Sequence, residues 1–359
     1  MKVALVTDWM YGGGGERVVE AIHQLYPKAP IYTSYCSDEW RQKLNNQVVT
    51  GYLQRSPFKQ LRRFLPVLRQ WWFRQLNLSK YDLVISITGN GEAKFVSVPN
   101  GTHVSYCHTP VHFYWRHYEE YVRNPSFHPK WLARLGLKML VKPLRQRDYT
   151  AAQKVDYFIA NSNHIKSDIN KFYDREAVVI HPPIDVDRFA NAQRPAHPEG
   201  YITIGRQVPI KKIDVIIQAC NELEVPLTVI GNGPEHDQLV AMSGPNIIFK
   251  TEVSDKEMPK ELAQAQAFLF AAFEDFGIAP VEAMATGLPV IAFKAGGALD
   301  YVISGKTGEF FPKQTADSLK VAMQGSTQYN REAIKQHTAS FSVEIFKTKL
   351  RDFVAASVS

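Results

Sequence analysis

The strongest constraint on this chain lies in residues 273–290, FEDFGIAPVEAMATGLPV. An apolar run, Phe268, Leu269, Phe270, Ala271 and Ala272, reads as a buried strand that delivers the chain to Glu274 and Asp275, then to Phe276 and Gly277. Pro280 suits the first turn of a helix, where an N–H has no intrahelical partner, so a short helix is predicted to begin there. Gly287 suits a left-handed C-terminal cap, and Pro289 prevents continuation. Unpaired N–H groups and the positive end of a helix dipole then lie beside two carboxylates, Glu274 and Glu282. A carboxylate repels a diphosphate, and an ionised Glu only accepts hydrogen bonds, so sugar hydroxyls are the expected partners of this pair. An amphipathic helix with two solvated acids is the competing reading of the pair taken alone.

The chain opens in a similar way. Residues 2–7 read as a buried parallel strand running into Tyr11, Gly12, Gly13, Gly14, Gly15 and Glu16, with a helical period over residues 17–25. The glycines allow backbone to approach a phosphate or sugar, and Glu16 favours the helix N-terminus. The spacing is not that of a dinucleotide fingerprint, and a flexible turn is the alternative. Further strands are predicted at residues 31–33, 48–51, 83–87, 103–106, 157–160 and 178–180. Their alternation with helices argues an α/β protein with a parallel sheet covered on both faces.

At 359 residues the chain accommodates two domains of roughly 100–200 residues each. A stretch rich in Ala, Pro and Asn, residues 187–200, reads as the linker. Beyond it a strand over residues 202–205 is followed by Arg206 and, five residues on, Lys211 and Lys212. A guanidinium fork and an ammonium at the carboxyl end of a strand are suited to gripping phosphates. The expected division is residues 1–190, 191–340 and a terminal helix over 341–359.

No run reaches the roughly 18 apolar residues that span a bilayer, and the N-terminus reads as a strand, so a cytoplasmic protein is expected. Cys36, Cys107 and Cys220 lack metal-ligand spacing and are expected to be reduced, buried thiols. Charge is unevenly divided. Residues 1–199 carry 27 basic and 17 acidic side chains, the remainder 15 and 18. No acid occurs between Trp40 and Tyr81, where Arg55, Lys59, Arg62, Arg63, Arg69 and Arg74 alternate with apolar groups including Trp71 and Trp72. None occurs over residues 123–147 either, where Lys130, Arg134, Lys138, Lys142 and Arg145 accompany Trp131, Leu135 and Met139. Such segments suit an anionic membrane surface or a lipid-linked acceptor; packing of their apolar faces on the core is the alternative. Nucleic acid is not expected, because no RNA-binding motif accompanies the charge.

The string Ser105-Tyr106-Cys107-His108-Thr109-Pro110 places an imidazole at the end of a strand, the edge at which open α/β sheets bind ligands. Here the motifs converge on a family. The 273–290 stretch, with its two Glu eight positions apart, resembles the signature of retaining GT-B glycosyltransferases of family 4. GGGGERV resembles that family's GGxER loop, GRQVPIKKID its GRxxxxKG motif with Lys212 in place of Gly, and GNGP its GxGP element. YCHTP resembles a branch rich in mannosyltransferases, although His112 and Arg116 stand where that branch commonly has Arg and Asp. These departures bear on the donor sugar and the acceptor, not on the fold.

The resemblance implies two Rossmann-like domains facing each other across a cleft, with a nucleotide sugar mostly on the second. It implies a catalytic set of Glu274, His108, Arg206 and Lys211. Donor binding would involve Gly14, Gly15, Phe276, Gly277, Ile278 and Glu282 as well, with Glu282 on the ribose. Glu16, Arg62, Arg63, Trp71, Trp72 and Lys138 are assigned to the acceptor or membrane side. No metal and no cofactor beyond the donor is expected. The implied reaction is transfer of a hexose with retention, mannose from GDP-mannose first, to a lipid-linked or glycan acceptor at the inner membrane face. A UDP-sugar transferase, a nucleotide-sugar epimerase and a non-catalytic lectin-like or membrane-binding module are the alternatives.

Overall fold

The computed structural model describes residues 1–45, 47–58, 66–123, 129–325 and 328–358. The chain divides into two compact units: Met1–Pro182 with Lys347–Ser359, and Pro183–Phe346. The division falls at Pro182, earlier than residue 190, because the helix Val186–Ala190 buries Phe189 in the core of the second unit.

The N-terminal unit is built on seven parallel strands: β1 Val3–Thr7, β2 Ile31–Thr33, β3 Val48–Thr50, β4 Leu83–Thr88, β5 Thr102–Cys107, β6 Tyr157–Ala160 and β7 Ala177–Val179. Their order is β3-β2-β1-β4-β5-β6-β7, with Leu5 opposite Ile31 on one side of β1 and Ile85 on the other. β1 and β4 are buried at every position, as a continuous apolar strand must be when helices cover both faces. The helix Asn163–Tyr173 starts at Ser162, whose hydroxyl accepts the Ile165 N–H.

The C-terminal unit carries six parallel strands, β8 Tyr201–Ile204, β9 Leu227–Ile230, β10 Ile247–Lys250, β11 Ala267–Phe270, β12 Val290–Phe293 and β13 Gly308–Phe311, in the order β10-β9-β8-β11-β12-β13. One core packs Phe268, Phe270, Phe276, Val281, Met284 and Tyr301; another packs Ile216, Val229, Leu269, Ile291 and Phe311. Alternate residues of β11 serve the two cores, as the period of a strand requires. In each sheet the strand order reverses once, between β1 and β4 and between β8 and β11. Loops leaving neighbouring strands in opposite directions open a crevice at that point, where ligands of this architecture bind.

The two basic segments differ in what they bury. In the helix Pro66–Arg74 the expectation of a membrane-facing Trp72 is corrected: it is buried with Phe73. Gly51 makes the room, since a Cβ there would come within 1.7 Å of the Trp72 indole Nε1. Arg69 is likewise a buried ion-pair partner and not a surface charge, its Nη2 lying 2.6 Å from Glu92 Oε1. Trp71 is exposed. Arg62 and Arg63 lie outside the described residues. The helix Lys130–Ala152 differs, because Trp131, Leu132, Leu135, Met139 and Leu140 are exposed along its first half together with Lys138. Among the described residues no helix is long and apolar enough to cross a membrane.

Candidate active site

The second unit gathers most of the expected donor residues at its switch point. β8 ends at Ile204 and leads through Gly205 and Arg206 to a single 3-10 turn, Pro209–Lys211. β11 ends at Phe270 and leads to Glu274. Because the two strands are neighbours, their loops start side by side before they diverge, and the Lys211 ammonium donates to Glu274 Oε1 in a half-buried ion pair. Arg206 is exposed on the same loop. Lys212 takes a left-handed backbone, φ 53°, which explains why the resembling motif has glycine there.

Glu274 is fixed from behind by backbone. Gly297 N–H donates to its carbonyl at 2.8 Å, and a Cβ at Gly296 would stand 2.3 Å from that oxygen. The helix begins at Ile278, two residues before Pro280, and runs to Ala285. Pro280 still lies in the first turn, where its missing N–H costs no helical hydrogen bond. Gly277 precedes it at φ 89°, with Tyr301 and Phe270 so close that a side chain would collide. Gly287 is left-handed at φ 80°, as its cap position predicts. The Ile278 N–H therefore opens the helix immediately after the Glu274 loop. Phe276, expected at the donor, places its ring in the core against Tyr301 and Phe341. Only its backbone is left for a ligand. Glu282 is buried on the same helix, and Arg188 Nη2 stands 3.7 Å from its Oε1.

The N-terminal unit shows a corresponding arrangement after β1, β4 and β5. The helix Gly14–Leu25 starts within the glycine run, so Gly14 and Gly15 form its first turn. Glu16 folds back, its Oε1 accepting the N–H groups of Tyr11 and Gly12 at 3.2 and 3.1 Å. It is buried and shapes the loop, which corrects its expected place on the acceptor surface. Gly15 lies beside His108, since a Cβ there would be 3.4 Å from His108 Nε2. The carbonyl of His108 accepts from Asn161 Nδ2 at 3.0 Å, next to the Ser162 that caps the helix Asn163–Tyr173.

Three residues escaped the sequence reading. Asp8, just past β1, accepts N–H bonds from Gly89, Asn90, Gly91 and Ala93 at 2.6–3.2 Å and so ties down the loop after β4. Gln207 is fully buried and joins the Gly231 carbonyl at 2.7 Å to the His236 ring at 2.8 Å. Arg188 reaches Glu282. A polar residue directly after a strand was the available signal for Asp8. Arg188 had none, because the residue it meets lies on a distant segment. Beneath the Asp8 loop, Lys94 and Asp148 form a fully buried pair at 2.5 Å, with Tyr173 and Trp115 also donating to Asp148. Arg116, where an Asp was the common residue, pairs with Asp168 through an Nε–Oδ2 bond of 2.8 Å.

Two family models match the chain. Residues 12–188 match "Glycosyltransferase Family 4" and residues 185–325 match "Glycosyl transferases group 1". The chain is 28% identical over 192 residues to a GDP-mannose-dependent alpha-(1-6)-phosphatidylinositol monomannoside mannosyltransferase of Mycolicibacterium smegmatis, covering 45% of this chain and 50% of that protein. It is 23% identical to an alpha-1,3/1,6-mannosyltransferase of Candida glabrata over 85% of this chain and 78% of that protein. The matches to the first curated relatives span about half of each relative's length. Among solved structures, Anabaena HepE in complex with UDP superposes with a TM-score of 0.73 at 18% identity, over 99% of this chain and 100% of that one. Sucrose-phosphate synthase from Thermosynechococcus elongatus gives 0.71 at 16%, over 99% and 100%.

Proposed function

The chain belongs to the GT-B glycosyltransferases of family 4, and on that footing we propose that it moves a hexose with retention of configuration from a nucleotide sugar to a lipid-linked or glycan acceptor. The observation that carries the site assignment is the contact of Lys211 with Glu274 beside the first turn of the helix Ile278–Ala285. A cation, an acceptor-only carboxylate and open backbone N–H groups at one switch point suit the diphosphate and the sugar hydroxyls of one donor. Lys211, Arg206 and the helix N-terminus stabilise negative charge as the glycosyl–oxygen bond to the diphosphate breaks, the electrostatic contribution that dominates such reactions. Glu274 orients hydroxyls of the transferred sugar, and Glu282 accepts from the ribose. His108 is assigned to the transferred sugar on the family resemblance. The departing phosphate takes the acceptor's proton on the face it leaves, and Lys211, Arg206 and the helix N-terminus take the place of a metal at the diphosphate.

Mannose from GDP-mannose is the first donor reading, supported by the names of the two mannosyltransferase relatives. A UDP sugar is the second, favoured by the UDP bound in the Anabaena fold neighbour. The exposed apolar and basic first half of the helix Lys130–Ala152 supports an anionic membrane surface as the place of work. A screen of donor hydrolysis and binding with GDP-mannose, UDP-glucose, UDP-N-acetylglucosamine and UDP-galactose, in EDTA, tests the proposal. Turnover of GDP-mannose alone is the expected result. Preference for a UDP sugar discards mannose, and activity only on added divalent metal discards metal independence.

A further inference from the structure

The ribose carboxylate assigned above is reached by a cation that belongs to none of the donor motifs. Arg188 lies in the short helix Val186–Ala190, which Asp185 caps by accepting the Arg188 N–H at 3.3 Å. Phe189, the next residue, is fully buried among Ile184, Val281, Ala283 and Met284, so the helix is anchored against the same Ile278–Ala285 helix that carries Glu282. The guanidinium lies over the Phe189 ring, with Cζ 4.4 Å from its centroid. Its Nη2 stands 3.7 Å from Glu282 Oε1 and its Nη1 3.7 Å from Asp255 Oδ2. Asp255 is exposed, whereas the Glu282 side chain is only 10% exposed, so the charge of Arg188 weighs chiefly on Glu282.

A distance of 3.7 Å is too long for a hydrogen bond but within the range of an ion pair. Arg188 thus sets a positive charge beside the buried carboxylate and helps to aim it, at a distance that does not occupy an oxygen lone pair. Hydroxyl donors are served by a carboxylate whose oxygens are held in one orientation.

We propose that Arg188 is a positioning residue for nucleotide ribose recognition, acting through Glu282. The inference rests on the assignment of Glu282 to the ribose. Its test is calorimetric binding of GDP and UDP, each beside its 2′,3′-dideoxy analogue, to the wild-type protein, Arg188→Ala and Arg188→Lys. The wild type is expected to prefer the ribonucleotide. Arg188→Ala should weaken ribonucleotide binding about tenfold, the scale on which outer-shell partners act, and leave dideoxynucleotide binding within about twofold. Arg188→Lys should recover part of the loss. In transfer assays KM for the donor should rise in Arg188→Ala while kcat at saturation is retained.

If the wild type discriminates and Arg188→Ala weakens both nucleotides equally, or neither, the role of Arg188 is overturned and the ribose assignment stands. If the wild type binds both forms equally, the ribose assignment falls and the inference with it. Arg188→Gln carries the same comparison if Arg188→Ala does not fold.

Discussion

Lys211 and Glu274 lie 63 residues apart in sequence, yet the ammonium of one donates to the carboxylate of the other. The contact exists because β8 and β11 are neighbours at the point where the strand order reverses. Each side chain stands at the first loop beyond its strand, and the pairing of the strands does the rest.

Removing either partner should cost more in rate than in stability. The pair is about a fifth exposed on each side, where solvent screening keeps its contribution to folding small. Glu274→Ala and Lys211→Ala are each expected to lower donor turnover by about two orders of magnitude or more, on the scale of losing one transition-state donor. Circular dichroism and single-turnover kinetics check this. Near-normal transfer by the folded variants would remove both from the site.

Lys212 offers an opposite case. Its left-handed φ of 53° places a Cβ in a region that costs about 1 kcal/mol for residues other than glycine. Lys212→Gly relieves that cost and gives part of it back in chain entropy, so a gain of up to about 1 kcal/mol is expected in urea melts. A loss of stability would mean that the side chain contributes contacts outweighing its strain.

The Lys94–Asp148 pair should behave as a unit. Both side chains are essentially inaccessible, and Lys94 also donates to the Gly91 carbonyl at 3.0 Å. Asp148→Asn leaves a buried ammonium without its counter-charge, at an expected cost of about 3–5 kcal/mol. Lys94→Met combined with Asp148→Asn should recover much of this loss. Strictly additive losses in the double mutant would contradict the coupling.

Two buried groups act oppositely on stability as pH changes. Burial raises the Glu92 carboxyl to about 7 from 4.5, with the Arg69 guanidinium opposing and Asp8 adding to the shift. Burial lowers the His103 imidazole to about 4 from 6.5. Between pH 4.5 and 7 the folded state holds a proton on Glu92 that the unfolded chain releases, so this contribution falls as pH rises. Between pH 4 and 6.5 the folded state lacks a proton that the unfolded His binds, so this contribution rises with pH. The slopes oppose, and the wild type should show a shallow profile from pH 4.5 to 6.5. His103→Gln should show stability falling through that range in urea titrations. A profile as flat as that of the wild type would contradict the assignment.

The helix Lys130–Ala152 supplies a surface test. Sedimentation with vesicles containing anionic lipid should carry down the wild type and leave Trp131→Ser/Met139→Ser largely in the supernatant. Each surface-near Lys or Arg contributes about 1 kcal/mol to such binding, so high salt should release the protein. Equal sedimentation on neutral vesicles would refute the electrostatic part.

What the sequence determined by itself was local. Alternating apolar runs and helical periods placed the strands, because burial on both faces permits few polar residues in a parallel sheet. Gly277, Gly287 and Pro280 marked the ends of the Ile278–Ala285 helix, because a left-handed φ and a missing N–H are properties of single residues. Glu274, Lys211 and His108 stood out as members of local strings, and of these the structure brings Lys211 and Glu274 together. Only the tertiary structure decided which basic and aromatic residues were surface and which were core. Trp72 and Arg69 belong to a segment whose composition suits an interface, yet Gly51 makes room for the indole and the Glu92 carboxyl is the buried partner of the guanidinium. The reach of Arg188 to Glu282, the four amides held by Asp8 and the inward ring of Phe276 were equally hidden. Each depends on a partner distant in the chain, and periodicity carries no record of which distant segment a side chain will meet.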